Sequence, residues 1–586
     1  MLKKNTEDTR FDTTPTDTRL TVRTNLDVKV TESTLLKAGI VGRLKEFRGT
    51  RYGRSAIFNK IYGIPSAAFP IRYENGIYGG SSVYGTGNPV ALLKDYGHIR
   101  NVYGTLLADL SIRQDLSALT KGLAAEASVS FDNIGGMNET TNKEYRYMNS
   151  NASITSDGTL VTTPAIYGTD SETLGHTQPF ERLMLRSDFQ AKVDYNRTFG
   201  KHQVGGALIY DMQSVVKNGR NNSQKNQSVL VNATYTYDNR YSLNAVFNRS
   251  GSAYLPDGDK YSNYPAVSAA WIVSNEAFME KVTPINLFKI RASYGLSGWD
   301  GNLSHELWRQ SYGSGGAGYN FGVNAGGQSG GSEGDLPVIG LVAEKSQKAT
   351  FGFDLAAFDN RLNATVEGFY EKRSDILVSG ANSTSGIIGI TVGQVNEGIY
   401  KYKGLDASLS WNDKIGDFHY GIGASMSYLN TEVVNVNQAY QEYDYLYTKG
   451  NRIGQMYGLE AIGFFNSQQE INNSPQQTFS DVAPGDVKYK DQNGDNRIDE
   501  KDVVKMFGSS VPRFYFGFNL NFSYKRLELS ADFQGMTGVT VSLLNSPLYS
   551  PLVSNGNISN TFLNEEISWT PENKANATMP RLTTQE

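Results

Sequence analysis

Apolar and polar residues alternate along much of this chain in segments of about ten residues, the length of a membrane-spanning β-strand. In the first segment, the apolar positions that share one side of a strand are Leu20, Val22, Leu26, Val28 and Val30. The polar positions between them include Arg23, Asp27 and Lys29. Because a helix would group its apolar residues at every third or fourth position, the pattern predicts strands with one face suited to hydrocarbon.

Four pairs of these segments are joined by short polar turns, which predicts four antiparallel hairpins. The turns lie at 238–240, 359–361, 412–417 and 525–526. Longer connections, rich in Gly, Asn, Ser and Tyr, include 312–335 and 429–512. Short turns at one end and long loops at the other predict an outer-membrane barrel, of which this chain supplies roughly fourteen to sixteen strands. We expect the Gly-rich run at 313–334 to be a flexible loop, since it lacks the strand–glycine–helix context of a phosphate site.

Composition supports one large sheet over several globular domains. The 586 residues exceed the size at which a single core stops growing, about 250–300 residues. Gly 60, Tyr 35 and Phe 27 against Pro 17 describe an aromatic chain that keeps proline out of its strands. A soluble β-sandwich would also alternate, but the charged residues of the second face are hard to pack in a dry core.

Other classes are disfavoured by charge and residue content. A formal net charge of -4 gives no electrostatic footprint for nucleic acid. Cys 0 excludes disulfides and thiolate sites. None of the five histidines has the spacing of a metalloprotease motif, and GLSGW at 295–299 lacks the nucleophile elbow. We therefore expect no enzyme and no required cofactor.

Six phrases spread along the chain carry a family resemblance. They are NPVALLKDYG at 88–97, RSGSAYLPDGDKYSNYPAVSAAW at 249–271, RASYGLSGWDGN at 291–302, RLNATVEGFYEKRSDIL at 361–377, APGDVKYKDQNGDNRIDEKDVVKMFGSSVPRFYFGF at 483–518 and SWTPENKANATMPRLT at 568–583. In this order they resemble the SusC/RagA family of TonB-dependent outer-membrane transporters, and the phrase at 483–518 is the most specific.

The resemblance implies an all-β fold, an antiparallel transmembrane β-barrel of the 22-stranded, plugged type, in the outer membrane of a Gram-negative bacterium. Family members also carry a signal peptide, a plug domain, a TonB-binding segment and final strands that residues 1–586 do not show. Because an open sheet edge is costly in lipid, we interpret residues 1–586 as a partial barrel domain. We interpret 429–512 as an extracellular loop insert.

The function that the resemblance implies is energised import of oligosaccharides or peptides. A SusD-like lipoprotein would cap the extracellular mouth, and TonB would act on a plug segment outside this chain. Two alternatives remain: a passive porin, which shares the barrel pattern, and a soluble carbohydrate-binding β-protein.

One segment of the 429–512 connection has the spacing of a calcium-binding loop. The six positions expected to supply oxygen atoms are Asp491, Asn493, Asp495, Arg497 (through its carbonyl), Asp499 and Asp502. Asn496 stands where the usual glycine would be, and Asp502 stands where the usual glutamate would be. The alternative is an Asx-rich turn held by hydrogen bonds to its own backbone.

Four tyrosines of the same connection are candidate substrate contacts: Tyr440, Tyr443, Tyr445 and Tyr447. Their flat faces suit stacking on sugars or gripping a peptide. The alternative is packing within the loop or an interfacial girdle.

Overall fold

The fold is almost entirely antiparallel β-structure. This computed structural model describes residue 10 and residues 12–66, 68–217, 223–320, 327–382, 387, 389–390, 392–543 and 567–581. No described helix is long and apolar enough to cross a membrane.

The strands, in chain order, are β1 (Thr16–Thr31), β2 (Thr34–Thr50), β3 (Tyr78–Gly79), β4 (Gly97–Asp115), β5 (Leu123–Asn142), β6 (Tyr147–Ile154), β7 (Leu160–Tyr167), β8 (Gly175–Thr177), β9 (Phe180–Phe199), β10 (His202–Val216), β11 (Ser223–Tyr237), β12 (Tyr241–Ser252), β13 (Tyr261–Ile272), β14 (Ile285–Trp299), β15 (Tyr312–Asn320), β16 (Gly327–Glu333), β17 (Glu344–Ala357), β18 (Leu362–Ser379), β19 (Gln394–Ile415), β20 (Phe418–Asn435), β21 (Gln455–Leu459), β22 (Ala461–Phe464), β23 (Gln476–Gln477), β24 (Val487–Tyr489), β25 (Arg497–Ile498), β26 (Val503–Ser509), β27 (Phe514–Tyr524) and β28 (Leu527–Thr537). The α-helices are α1 (Arg54–Gly63), α2 (Pro89–Lys94) and α3 (Gln468–Asn472). Short 3-10 turns lie at Val273–Asn275, Ala277–Met279, Asp444–Leu446 and Glu500–Asp502.

One 17-stranded sheet organises the part of the chain that the structure describes. Apart from the three-residue β8, which pairs with the end of β5, its strands are 11 to 22 residues long. These sixteen pair as antiparallel neighbours in the order β1, β2, β4, β5, β9 to β14, β17 to β20, β27 and β28. Among the described residues, no ladder joins β28 to β1.

All four predicted hairpins are present: β11 with β12, β17 with β18, β19 with β20 and β27 with β28. In the turn at 238–240, Asp238 has φ 51° and Asn239 has φ 52°. Left-handed backbone at both central positions is typical of the hairpin turn whose twist matches its strands. Asp and Asn tolerate that conformation better than other residues with a Cβ, so the turn chemistry fixed these hairpins locally.

The strand directions place the shortest turns at one end of the sheet and the longest connections at the other. The turn end carries the connections at 32–33, 116–122, 200–201, 238–240, 273–284, 358–361, 416–417 and 525–526. The loop end carries those at 51–96, 143–179, 217–222, 253–260, 300–343, 380–393 and 436–513. This arrangement follows because consecutive antiparallel strands run in opposite directions.

The sheet has one apolar and one polar face. Residues directly opposite each other in antiparallel strands point to the same face. One such row consists of Leu26, Ala38, Leu110, Val129 and Phe189. The adjacent row, on the other face, consists of Asp27, Lys37, Ser111, Ser128 and Gln190. The prediction that Leu20 and its apolar companions lie opposite to Arg23, Asp27 and Lys29 is confirmed, although Val30 falls at an irregularity in the pairing.

The apolar face is the more exposed of the two. Leu26 is 54% and Phe351 63% exposed, whereas Asp194, on the polar face, is 7% exposed. A soluble protein would bury such a continuous apolar surface. The exposure is instead what a sheet curved with its apolar side toward lipid requires.

The expectation of a flexible loop in the Gly-rich segment is wrong for the residues that the structure describes there. β15 pairs with β16, and residues 321–326 between them lie outside the described residues. A Cβ at Gly316 would lie 2.2 Å from the carbonyl oxygen of Gly331, so the two backbones approach at a distance that only glycine allows. The pairing of these two strands uses backbone groups alone, so the alternation of side chains in the sequence did not predict it.

We expect two neighbouring substitutions in β12 to differ because their side chains point to opposite faces. Ala245 shares the apolar face with Ala233 and Val267, whereas Val246 shares the polar face with Asn232 and Ala266. Ala245→Arg should lower the free energy of unfolding in lipid vesicles by about 2–4 kcal/mol, the cost of a cation near the bilayer midplane.

The matched control, Val246→Arg, should cost much less, since its guanidinium enters the polar interior. Denaturant titration of both variants in the same vesicles measures the difference. Equal costs at the two positions would contradict the assignment of the faces.

Candidate functional site

Several charged side chains on the polar face are paired with one another. Arg113 donates two hydrogen bonds of 2.9 Å to the carboxylate of Asp194 and one of 3.0 Å to Glu126. Farther round the sheet, Arg291 donates to Glu367 and lies 3.4 Å from Asp354. These bidentate and networked contacts orient both charges of each pair. The polar face therefore carries networks of paired ions such as these, and it is suited to water and to a polar solute.

The long connection between β20 and β27 (residues 436–513) folds as a small unit at the loop end, together with residues 567–581, which follow β28. We call this unit the loop module. Three short ladders build it: β21 with β26, β22 with β24 and β23 with β25. Phe465 and Ile498 are almost fully buried within it. The loop module thus has its own apolar core, separate from the faces of the large sheet.

The last described segment closes the loop module around one glycine. Gly485 has φ +98°, and a Cβ there would lie 2.5 Å from the ring of Trp569. Trp569 donates its indole N–H to Asn466 at 3.3 Å, and Arg581 donates to Asp486 at 2.7 and 3.2 Å. Sequence reasoning missed these contacts. The sequence did contain a signal for these contacts. Gly485 and Asp486 lie in the family phrase at 483–518, and Trp569 and Arg581 lie in the phrase at 568–583.

The candidate calcium loop is held by hydrogen bonds to its own backbone. Asp491 accepts from the N–H of Gly494 at 2.7 Å and from that of Asn496 at 2.9 Å. Asn493 and Asp495 each accept a similar bond from the backbone N–H two residues on, at 3.1 and 2.9 Å. Asn496 has φ +63°, so it adopts the left-handed conformation that glycine has in a calcium loop.

Asp502 is the buried carboxylate of the same loop, with 0% exposure. It accepts hydrogen bonds from the backbone N–H of Gln492 at 2.7 Å and of Asp499 at 2.9 Å. Across the residues that the structure describes, no group of three or more acidic or histidine side chains is arranged to hold a metal ion. The contacts favour the Asx-rich turn, and calcium binding stays a prediction.

The structure brings two of the four candidate tyrosines against this loop. The rings of Tyr443 and Tyr445 stack with centroids 5.4 Å apart and 13° between their planes. The Tyr445 hydroxyl donates to the carbonyl of Lys501 at 2.7 Å. The ammonium of Lys501 lies 2.8 Å from the carboxylate of Glu442, and this hydrogen-bonded pairing raises the pKa of Lys501. The tyrosine segment and the Asp491–Asp502 loop therefore form one surface.

The other two tyrosines differ from this pair. The hydroxyl of Tyr447 accepts from the N–H of Gln441 at 3.0 Å, which is packing within its own turn. Tyr440 is 86% exposed. Of the four, Tyr440 presents the most open aromatic face.

A second polar anchor at the loop end also escaped sequence reasoning. Asn88 is buried and accepts from the N–H of Val90 and Ala91, which caps α2, at 3.1 and 3.2 Å. Its amide donates to the carbonyls of Ile71 and Gly79 at 2.9 and 3.0 Å. The signal was an asparagine followed by proline, the signature of a helix start. This one side chain ties the connection at 51–96 together.

An apolar outer face, a polar inner face, short turns and long loops together define the architecture of an outer-membrane β-barrel. A family model described as "TonB dependent receptor-like, beta-barrel" matches residues 46–570. The chain belongs to this family, whose members are outer-membrane proteins of Gram-negative bacteria. The alternative of a soluble β-protein is thereby wrong.

Curated relatives agree with this assignment. The TonB-dependent receptor P26 of Formosa agariphila is 29% identical over 350 residues, which are 58% of this chain and 34% of that protein. The TonB-dependent receptor SusC of Bacteroides thetaiotaomicron is 20% identical over 352 residues, 56% of this chain and 32% of that protein. The chain thus spans about a third of the length of these relatives.

Among solved structures, the RagAB peptide transporter superposes with a TM-score of 0.72 at 16% identity. The superposition covers 98% of this chain and 63% of that one. The predicted fold class and the resemblance to the SusC/RagA family are confirmed.

We expect Asp502→Ala to loosen the Asp491–Asp502 loop whether or not calcium is present. The substitution leaves the N–H groups of Gln492 and Asp499 without their acceptor, and each such loss costs about 1–3 kcal/mol. Hydrogen exchange at these two amides, measured with calcium and with chelator, should show faster exchange in the variant under both conditions.

The matched control is Asp481→Ala, which removes an exposed carboxylate of the same module. It should leave both amides protected. Wild-type protection that appears only with calcium would contradict the self-supporting turn and establish the metal site instead.

Proposed function

We propose that the natural protein containing this chain imports oligosaccharides or peptides across the outer membrane, energised by TonB and assisted by a SusD-like surface lipoprotein. The observation that carries the proposal is the match of residues 46–570 to the TonB-dependent receptor barrel. Relatives named TonB-dependent receptor, and a structural neighbour that is a peptide transporter, support it.

In this proposal the polar face forms the wall of the substrate path. Several of its arginines have carboxylate partners, as Arg113 has in Asp194 and Arg291 has in Glu367. A wall of paired ions offers hydrogen bonds without strong net attraction, so a large polar substrate can move along it. A single unpaired cation would hold an anionic substrate more tightly.

The loop module would be the extracellular receiving surface. The open ring of Tyr440 and the stacked Tyr443–Tyr445 pair lie in one short segment. Aromatic faces of this kind suit contact with a sugar ring or a peptide backbone. A lid-like lipoprotein would dock at the same end, where the long connections gather. Calcium, if bound, would stiffen the Asp491–Asp502 loop beside these rings.

We expect uptake to depend on TonB. Deleting the gene should abolish growth on its substrate, identified from a panel of oligosaccharides and peptides as sole nutrients, and deleting the TonB gene should have the same effect. Removing the gene for a SusD-like lipoprotein should reduce growth at low substrate concentration. The control is a small sugar that diffuses through porins. Uptake that continues without TonB would contradict the proposal and favour a passive porin.

Orientation provides a separate test. Glu500 is exposed in the loop module, and Arg526 is exposed in the turn between β27 and β28. In intact cells that carry the full-length protein, a membrane-impermeant thiol reagent should label Glu500→Cys and spare Arg526→Cys.

After lysis both cysteines should react, which controls for accessibility. Labelling of Arg526→Cys alone in intact cells would invert the topology and remove the loop module from the cell surface.

A further inference from the structure

A basic patch lies at the loop-end rim of the apolar face. It consists of Lys225 and Arg249 near Tyr261, together with Lys260, which precedes β13 and lines the same cavity as Lys225 and Tyr261, and we call it the rim patch. Lys225 lies four residues before the apolar Val229 on β11, so the two side chains point to the same face. Arg249, on β12, is directly opposite Val229. Both side chains therefore belong to the lipid-facing side of the sheet.

The height of the rim patch corresponds to the membrane interface. Tyr241 and Trp271 stack at the turn end of the same face, as in an aromatic girdle. Arg249 lies eight residues beyond Tyr241 on the same strand. That length is roughly 26 Å along the strand, or about 20 Å along the membrane normal at the usual tilt, close to the height of an apolar band.

The rim patch adjoins a depression with an apolar floor. Phe189, Met212, Gln227, Gly251 and Tyr261 occupy one row across the sheet, in which the Gln227 amide donates to the Tyr261 hydroxyl. A Cβ at Gly251 would lie 2.5 Å from the ring of Tyr261, so the glycine lets the ring lie flat across the strand. These residues, with Lys225, Lys260 and Asp188, line a cavity of about 520 Å³, and Asp188 is paired with Arg186 at 2.8 Å.

The cations of the rim patch are mostly without acidic partners. The Arg249 guanidinium lies 5.6 Å from the Tyr261 ring centroid and donates to Asn263 at 3.4 Å. Among the described residues, neither it nor Lys225 forms a salt bridge. Lys260 pairs with Asp257 at 2.5 Å. Three cations and one carboxylate leave a formal charge of +2.

The same face offers an internal comparison at the loop end of β2 and β4. Arg48 and Arg100 lie there, and both pair with Glu46, at 2.6 and 2.7 Å. Arg100 also lies 3.4 Å from Glu139. These two arginines are neutralised within the protein, whereas the rim patch is left for an anion from outside.

We propose that the rim patch binds an anionic lipid of the outer leaflet. Its phosphate headgroup would lie among the three cations, and an acyl chain would cover Phe189 and Met212. The patch faces lipid and carries net positive charge above an apolar floor, which is the chemistry of a phosphate-bearing lipid. The inference rests on the outer-membrane location of the chain and is independent of what the protein imports.

The test uses the natural protein in a neutral detergent, with dioleoylphosphatidylglycerol or zwitterionic dioleoylphosphatidylcholine added and the retained lipid counted by native mass spectrometry. Wild type should retain the anionic lipid preferentially. The combined variant Lys225→Gln, Arg249→Gln and Lys260→Gln should lose that preference by roughly fivefold per side chain. Lys225→Gln alone should show a partial loss, and Lys225→Arg should show none.

Arg48→Gln is the matched control, since it removes a paired cation from the same face and end. It should leave the preference unchanged, and a heat-modifiable band on gels shows that each variant is folded. An unchanged preference in the combined variant would overturn the proposal, and so would an equal loss in Arg48→Gln. A dimer that carries no lipid and dissociates in the combined variant would assign the patch to a second copy of the protein, which also overturns it.

Discussion

Backbone hydrogen bonding in lipid is the constraint on which the rest of this structure depends. Hydrocarbon offers no partner for an N–H or C=O group, so each spanning strand must be paired by its neighbours. The simplest solution is the meander seen here, in which each long strand pairs with the next long strand along the chain. Because the strands alternate in direction, successive connections fall at opposite ends of the sheet, with the two-residue turns at one end and the four longest connections at the other.

The position of the longest connection at one end of the sheet, outside the spanning strands, explains why the loop module resembles a small soluble domain. It is built from short ladders around Phe465 and Ile498, and its bonds are local turns such as those of Asp491 and Asp502. Water can satisfy its remaining groups, so irregular backbone is tolerated there. Binding surfaces can vary in such a module without disturbing the sheet that carries it.

The features that depend on neighbours in the chain could be predicted from the sequence. Alternation at Leu20 to Val30 and the turn at Asp238-Asn239 are local signals, and both gave the right structure. The contact of Trp569 with Gly485, and that of Tyr445 with Lys501, join distant segments that no periodicity marks. The β15–β16 hairpin was missed because glycine has no side chain to alternate. The Asp491–Asp502 oxygens suit a cation and a turn equally, so spacing alone could not decide between them.

The pairing of charged side chains in the sheet differs with the environment of each face. On the polar face Arg113 is held by Asp194 and Glu126, and Asp194 is largely buried, so each charge of this network has its counter-charge fixed within the protein. At the outer rim Arg249 has an aromatic ring and an amide but no carboxylate among the described residues. There an anion need not be built into the chain, since the membrane surface supplies phosphates. The lipid-facing rim thus holds both kinds of arginine: Arg48 and Arg100 have Glu46 as a partner within the protein, whereas Arg249 has none among the described residues and is the one that we propose a lipid phosphate meets.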